Sequence, residues 1–134
     1  DPANASTYEA NFRRFAREID QLHAELRKSV ADKQGSRFMS FHPAWGYFAK
    51  TYGLVQVPVE IEGKEPKPPQ LMRLIEQARK EGIKVVFVQP QFATRSAETI
   101  AKAIGGEVVV ADDLRPDWAE NLREQAARFN AALR

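Results

Sequence analysis

Val85-Val86-Phe87-Val88 constrains this chain more than any other stretch. Four consecutive apolar residues, three of them β-branched, read as a strand covered on both faces, as in a parallel sheet between helices. A parallel neighbour cannot be reached by a hairpin; it needs a crossover, usually a helix. The flanking sequence supplies one on each side. Leu71, Leu74, Ile75 and Ala78 recur at helical spacing and stop at Gly82. Ala97, Ile100, Ala101 and Ile104 do the same and stop at Gly105-Gly106.

The same alternation extends outward. Residues 37–41 read as a first strand, and 43–52 as a helix stopped at Gly53. Residues 54–61 read as a second strand, whose Pro58 implies an edge position or an early end. Residues 62–69 are a loop by composition. Val108-Val109-Val110 reads as another buried strand, ending in Ala111-Asp112-Asp113. Arg115-Pro116-Asp117 opens a last helix with Trp118, Leu122, Ala126, Phe129 and Leu133 on one face. Ahead of all these, Tyr8, Phe12, Phe15, Ile19, Leu22 and Leu26 form one apolar seam, with no Gly or Pro between Pro2 and Gly35. About 30 residues of helix would be about 45 Å long. That exceeds the width of a domain this size, so the helix either wraps the flank or reaches a neighbour. The expected fold is α/β: a four-stranded parallel sheet flanked by helices, preceded by a long N-terminal backbone helix. The expected division is 1–34 for that helix and 35–134 for a single lobe.

Composition narrows the function. The 134 residues suit one domain, with hydrophobic and charged content ordinary for a globular protein. The net charge of +2 is spread along helices rather than gathered in a basic stripe, so no nucleic-acid partner is expected. No apolar run approaches the ~18–20 residues that span a membrane. The absence of cysteine excludes disulfides, iron–sulfur clusters and thiolate zinc sites. Asp1-Pro2 suits the N-cap and first position of a helix, and no signal-peptide pattern is present. The expectation is a processed protein or a piece cut at a helix start.

In open α/β sheets, ligands bind outside the carboxyl ends of the strands. Those ends carry His42, Gln89 and Asp112-Asp113. An imidazole with a carboxylate suits zinc, manganese or a related divalent ion, but a well-formed zinc site needs about four ligands. The sequence therefore offers half a site. Structural readings compete. His42 could be a hydrogen-bonded junction residue, and Asp112 or Asp113 a turn or N-cap residue. Gln89 reads as a loop hydrogen-bonder, and Trp45, Tyr47 and Phe48 as core or interface packing. His23, off the apolar seam, reads as a solvated surface histidine. An enzyme could use His42 as a general base oriented by Asp112. Its nearest nucleophile, Ser40, is expected to point the opposite way, and no nucleophile-elbow, phosphate-loop or dinucleotide motif is present. A non-catalytic scaffold domain is the third reading.

The run Phe41-His42-Pro43-Ala44-Trp45-Gly46-Tyr47-Phe48-Ala49-Lys50-Thr51-Tyr52-Gly53-Leu54 resembles the C-terminal lobe of the periplasmic zinc/manganese-binding proteins of ABC transporters. Glu62-Gly63-Lys64-Glu65-Pro66, Val85 through Phe92, Thr99-Ile100-Ala101 and Val110-Ala111-Asp112-Asp113-Leu114 are similar to further blocks in the same order. Asp1-Pro2-Ala3-Asn4-Ala5, with Tyr8 and Asn11, looks like the start of the family's long helix. The resemblance covers essentially the whole chain. It implies two lobes joined by a long helix, with one metal ion held between them. It implies His42 and Asp112 as the two ligands of this lobe, and two more, usually histidines, from an absent N-terminal lobe. Asp113 stands where the family usually has Pro, so the carboxylate ligand could be shared. Gln89 stands where many members have Glu, which removes a charge near the site. His rather than Glu at 42 leans toward zinc, with manganese as the alternative.

The implied function is high-affinity metal capture and delivery to an ABC permease, without catalysis. The implied location is periplasmic or extracytoplasmic, with a lipid anchor as an option. Affinity is expected to fall as pH drops through the imidazole range. The lobe alone is expected to bind zinc weakly at best, and to dimerise through its uncovered helix.

Overall fold

The computed structural model describes residues 1–92 and 95–133. A 3-10 turn at Pro2–Asn4 leads into α1 (Ala5–Ser29), and a second at Ala31–Lys33 leads out of it. Then come β1 (Arg37–Ser40), α2 (Gly46–Thr51), β2 (Val55–Pro58), α3 (Pro68–Lys80), β3 (Val85–Val88), α4 (Arg95–Ile104), β4 (Glu107–Val110) and α5 (Trp118–Ala132). The strands form one sheet in the order β2-β1-β3-β4, every pair parallel. This is the α/β architecture that the alternation predicts.

Strand periodicity splits the core in two. Val85 and Phe87 of β3 face one side, with Phe38, Leu22, Leu26 and Phe129. Val86 and Val88 face the other, with Met39, Ile75, Ile100 and Ile104. Helices α1, α2 and α5 thus cover one face of the sheet, and α3 and α4 the other. Both β1 and β3 lie inside the sheet, so the residues following them enter from a rigid base. Phe129 stands at the centre of the first layer, 4.2 Å from Phe87 and 4.8 Å from Phe38 between ring centroids.

Several boundaries differ from expectation. Helix α1 ends at Ser29 rather than running on to Gly35, because the chain tightens into the 3-10 turn. Its seam is also divided. Leu22 and Leu26 are buried, whereas Tyr8, Phe12, Phe15 and Ile19 are 42–66% exposed. Helix α2 is six residues long, and the chain from His42 to Trp45 is bend and turn. Gly35 and Gly53 both adopt positive φ, and the Gly35 amide donates to the Gly53 carbonyl at 2.7 Å, so the ends of two helical segments are tied together. Pro68 and Pro69 open α3 instead of closing the loop, as suits a first turn that needs no amide hydrogens. Strand β2 ends at Pro58 and lies at an edge, as its proline implied. Strand β4 is the opposite edge and is not fully buried: Val108 and Val109 are half-covered and Val110 is 46% exposed. A valine run alone does not distinguish a central strand from an edge strand with one neighbour.

Candidate metal centre

Residues 42 and 112 each lie two positions beyond a strand, on the same edge of the sheet. Strand β3 stands between β1 and β4, so their backbones are about 10 Å apart. Side chains reaching inward from both could meet across one ion. The structure places His42, Gln89, Asp112 and Asp113 along this edge, as the topology requires.

His42 is held from several directions. Its Nδ1 lies 2.9 Å from Oε1 of Glu60, whose side chain is only 9% exposed against 43% for the imidazole. Its ring stacks on Phe92 at 5.1 Å. Its carbonyl accepts from Nε2 of Gln89 at 3.0 Å and from the Ser40 hydroxyl at 2.6 Å. Gln89 is fully buried and serves the His42 backbone, in keeping with the hydrogen-bonder reading. Ser40 does not turn away as expected, since residues 40 and 42 share a side of the strand period. Its hydroxyl is committed to main chain rather than aimed at the imidazole.

Asp112 is fixed differently. Its Oδ1 accepts from the Leu114 amide at 3.0 Å, an Asx turn that leaves Oδ2 for another partner. Its carbonyl accepts from Asn121 at 2.8 Å, and Asn121 in turn accepts from Gln125 at 2.8 Å. Both amides are buried on α5, so the helix anchors the Asp112 loop through a polar relay. Asp113 is half-buried, and its Oδ1 has no hydrogen-bond partner among the described residues. It lines a recess of about 350 Å³ with Trp45, Phe48, Arg115 and Trp118. Arg115 is spoken for by Asp117 and Glu124, which together hold its guanidinium firmly protonated.

Among the described residues, no group of three or more His, Cys, Asp or Glu side chains could enclose a metal ion. The donor set still suits one as a partial site. It pairs an imidazole whose Nδ1 is occupied and whose Nε2 has no hydrogen-bond partner among the described residues with a carboxylate that keeps one oxygen free of the turn.

Two roles were misread or missed in the sequence. His23 is not a solvated histidine: it is half-buried, 3.1 Å from the Tyr52 hydroxyl and 3.0 Å from the Arg27 guanidinium. Glu60 was missed. The signal that finds it is register: β1 and β2 pair with a constant offset of 18 residues, which sets 60 opposite 42. Tyr47 is 90% exposed and so takes no part in the core, while Trp45 and Phe48 pack on Phe129.

Comparison with known proteins bears on the fold and the family. The family model described as the periplasmic component A of the zinc-uptake complex, ZnuA, matches residues 1–132. The high-affinity zinc uptake system protein ZnuA of Bacillus subtilis is 30% identical over 116 residues, which is 85% of this chain and 36% of that protein. A crystal structure of ZnuA superposes with a TM-score of 0.93 at 41% identity, over 98% of this chain and 52% of that one. The structure of a ZnuA deletion mutant with zinc bound gives 0.88 at 41% identity, over 98% and 51%. The chain thus spans between about a third and a half of the length of these relatives. With its sheet order, its long first helix and a match over nearly every residue, the chain belongs to the ZnuA family of periplasmic zinc-uptake components.

Proposed function

We propose that the protein captures a divalent metal ion, zinc in the first place, as a cargo for an ABC permease, and that this chain contributes two of the ligands, His42 and Asp112. The observation that carries the reading is the pairing of His42 Nδ1 with a buried carboxylate. This is how metal-binding imidazoles are commonly oriented, and it leaves Nε2 to ligate. The Asx turn and the α5 relay give Asp112 comparable definition. Asp113, one residue on, has an oxygen with no hydrogen-bond partner among the described residues and is the alternative carboxylate of the same loop.

On this reading the remaining ligands come from outside these residues, which is supported by the lack of a group of three or more donors among the described ones. On this reading residues 1–34 form the helix joining two lobes, and residues 35–134 form the C-terminal one. The exposed seam at Tyr8, Phe12, Phe15 and Ile19 supports that division, because it is apolar surface suited to a neighbouring lobe. Zinc is favoured over manganese by the imidazole ligand. The reading includes no catalysis: the Ser40 hydroxyl, two residues from His42, is engaged by backbone. It places the protein outside the cytoplasm, next to a permease in the membrane. Among the described residues, no helix is long and apolar enough to cross a membrane.

The test is calorimetric titration of zinc into the full-length protein. His42→Ala and Asp112→Ala are each expected to weaken binding by at least 100-fold, and the affinity of the parent protein should decline on acidification, because protons compete for the ligating nitrogen. Unchanged affinity in His42→Ala would remove the ligand assignment.

A further inference from the structure

The environment of Glu60 is more specific than metal binding alone demands. Strand pairing does not stop at the ends of β1 and β2. The Val59 amide donates to Ser40 O at 2.9 Å, and the Glu60 amide donates to Phe41 O at 3.1 Å. On the other flank, the Phe41 amide donates to Phe87 O at 2.8 Å. Immediately after Glu60 the chain reverses. Ile61 and Lys64 exchange both backbone hydrogen bonds at 3.0 Å, with Glu62 and Gly63 at positive φ. That is the geometry of a tight two-residue hairpin turn. Residue 60 is thereby locked between an extended parallel pairing and a tight turn, beside His42.

A carboxylate only 9% exposed needs a partner, since leaving it bare of water and hydrogen bonds is costly. The hydrogen-bond partner of its side chain among the described residues is Nδ1 of His42. An ionised carboxylate only accepts, so the nitrogen facing it must carry a proton. Phe92, stacked on the ring, restricts rotation about the side chain's last bond.

We propose that Glu60 is a positioning residue for metal capture: through its hydrogen bond it selects the His42 tautomer with the proton on Nδ1, and so makes Nε2 the ligating atom. The proposal rests on the reading of His42 as a metal ligand. Glu60 itself does not touch the ion. It brings a negative charge to the imidazole, which strengthens the ring as a donor to a cation. It also explains why a carboxylate with no ligand role has its side chain nearly covered at the rim of the sheet.

The experiment uses full-length protein with 15N-labelled histidine, freed of metal and held at mildly alkaline pH. Long-range proton–nitrogen correlation spectra report which ring nitrogen of His42 is protonated. The parent protein is expected to show Nδ1–H with a bare Nε2. Glu60→Ala should shift the ring toward the Nε2–H tautomer and weaken zinc binding about 10–100-fold. Glu60→Gln retains a side-chain oxygen that can accept from Nδ1–H. It should keep the parent tautomer and lose at most about 10-fold in affinity, a rescue that a purely structural role would not produce. A parent spectrum showing Nε2–H overturns the proposal. So does a zinc affinity in Glu60→Ala within two-fold of the parent. A loss in Glu60→Gln as large as that in His42→Ala also overturns it, because Glu60 would then be a ligand. If His42→Ala leaves zinc affinity unchanged while the parent spectrum shows Nδ1–H, the reading of His42 as a ligand has failed, and the role of Glu60 in capture falls with it.

Discussion

Phe129 stands where three elements meet, and its surroundings set the largest single-residue effect expected outside the site. It is wholly buried, with Phe38, Phe87, Trp45 and Phe48 around it at 4.2–5.5 Å between centroids. Phe129→Ala should destabilise by about 3–5 kcal/mol in denaturant unfolding. Tyr47→Ala, at a side chain 90% exposed, should stay within about 0.5 kcal/mol. Tyr52 gives a pH-dependent case. Burial pushes its phenol above the usual value near 10, and the nearby Arg27 charge pulls it part of the way back. The folded value exceeds the unfolded one, so the contribution to stability is complete below the unfolded pKa and is lost as pH climbs through the folded one. Tyr52→Phe should therefore cost about 1 kcal/mol at neutral pH, through the lost bond to His23, and should flatten the alkaline fall in melting temperature. The placement of His42 and Asp112 on one edge was legible at this scale, because topology alone puts strand ends there. Glu60 and Asn121 were not. Their roles arise from pairing register and helix docking, which bring together residues 9–18 positions apart without any local motif.

At the scale of elements, the start of the β3–β4 pair is a close approach of backbone to backbone. A Cβ on Gly106 would lie 2.2 Å from the Lys84 carbonyl oxygen, and that oxygen accepts the Glu107 amide. Neither backbone can give way without opening the pair. Gly106→Ala should cost about 2–3 kcal/mol. Gly35→Ala, with open space around the added carbon but φ of +79°, should cost only about 1–2 kcal/mol. Thermal melts of the two variants decide the order. Element types were readable because hydrophobic period and glycine stops are local signals. Coverage was not. The six-residue seam of α1 announces a helix, yet nothing in its spacing says that Leu22 and Leu26 are buried while Tyr8 and Phe12 are open. Likewise, the valines of β3 and β4 look alike in sequence and differ in burial because one strand has two neighbours and the other has one.

For the whole molecule, the consequence is a division of labour. On the proposed reading one sheet edge carries two oriented donors, His42 and Asp112, and the first helix carries an apolar stripe extended by Trp118, which meets Phe15 edge-on at 5.9 Å. In a chain of these 134 residues, amides in the first half of α1 should exchange with solvent faster than those around Leu22 and Leu26, where the helix is covered. Such a chain should also bind zinc orders of magnitude more weakly than the full-length protein, since complete four-ligand protein sites reach roughly 10–16 kcal/mol and half the ligands forfeit much of that. The central claim is tested most directly by anomalous diffraction at the zinc edge from crystals of the zinc-loaded full-length protein. A peak is expected about 2.0–2.1 Å from His42 Nε2 and about 2.0–2.2 Å from an Asp112 carboxylate oxygen, with the other ligands contributed from outside residues 1–134. A peak bonded to neither residue, or one fully coordinated within these residues, would contradict it.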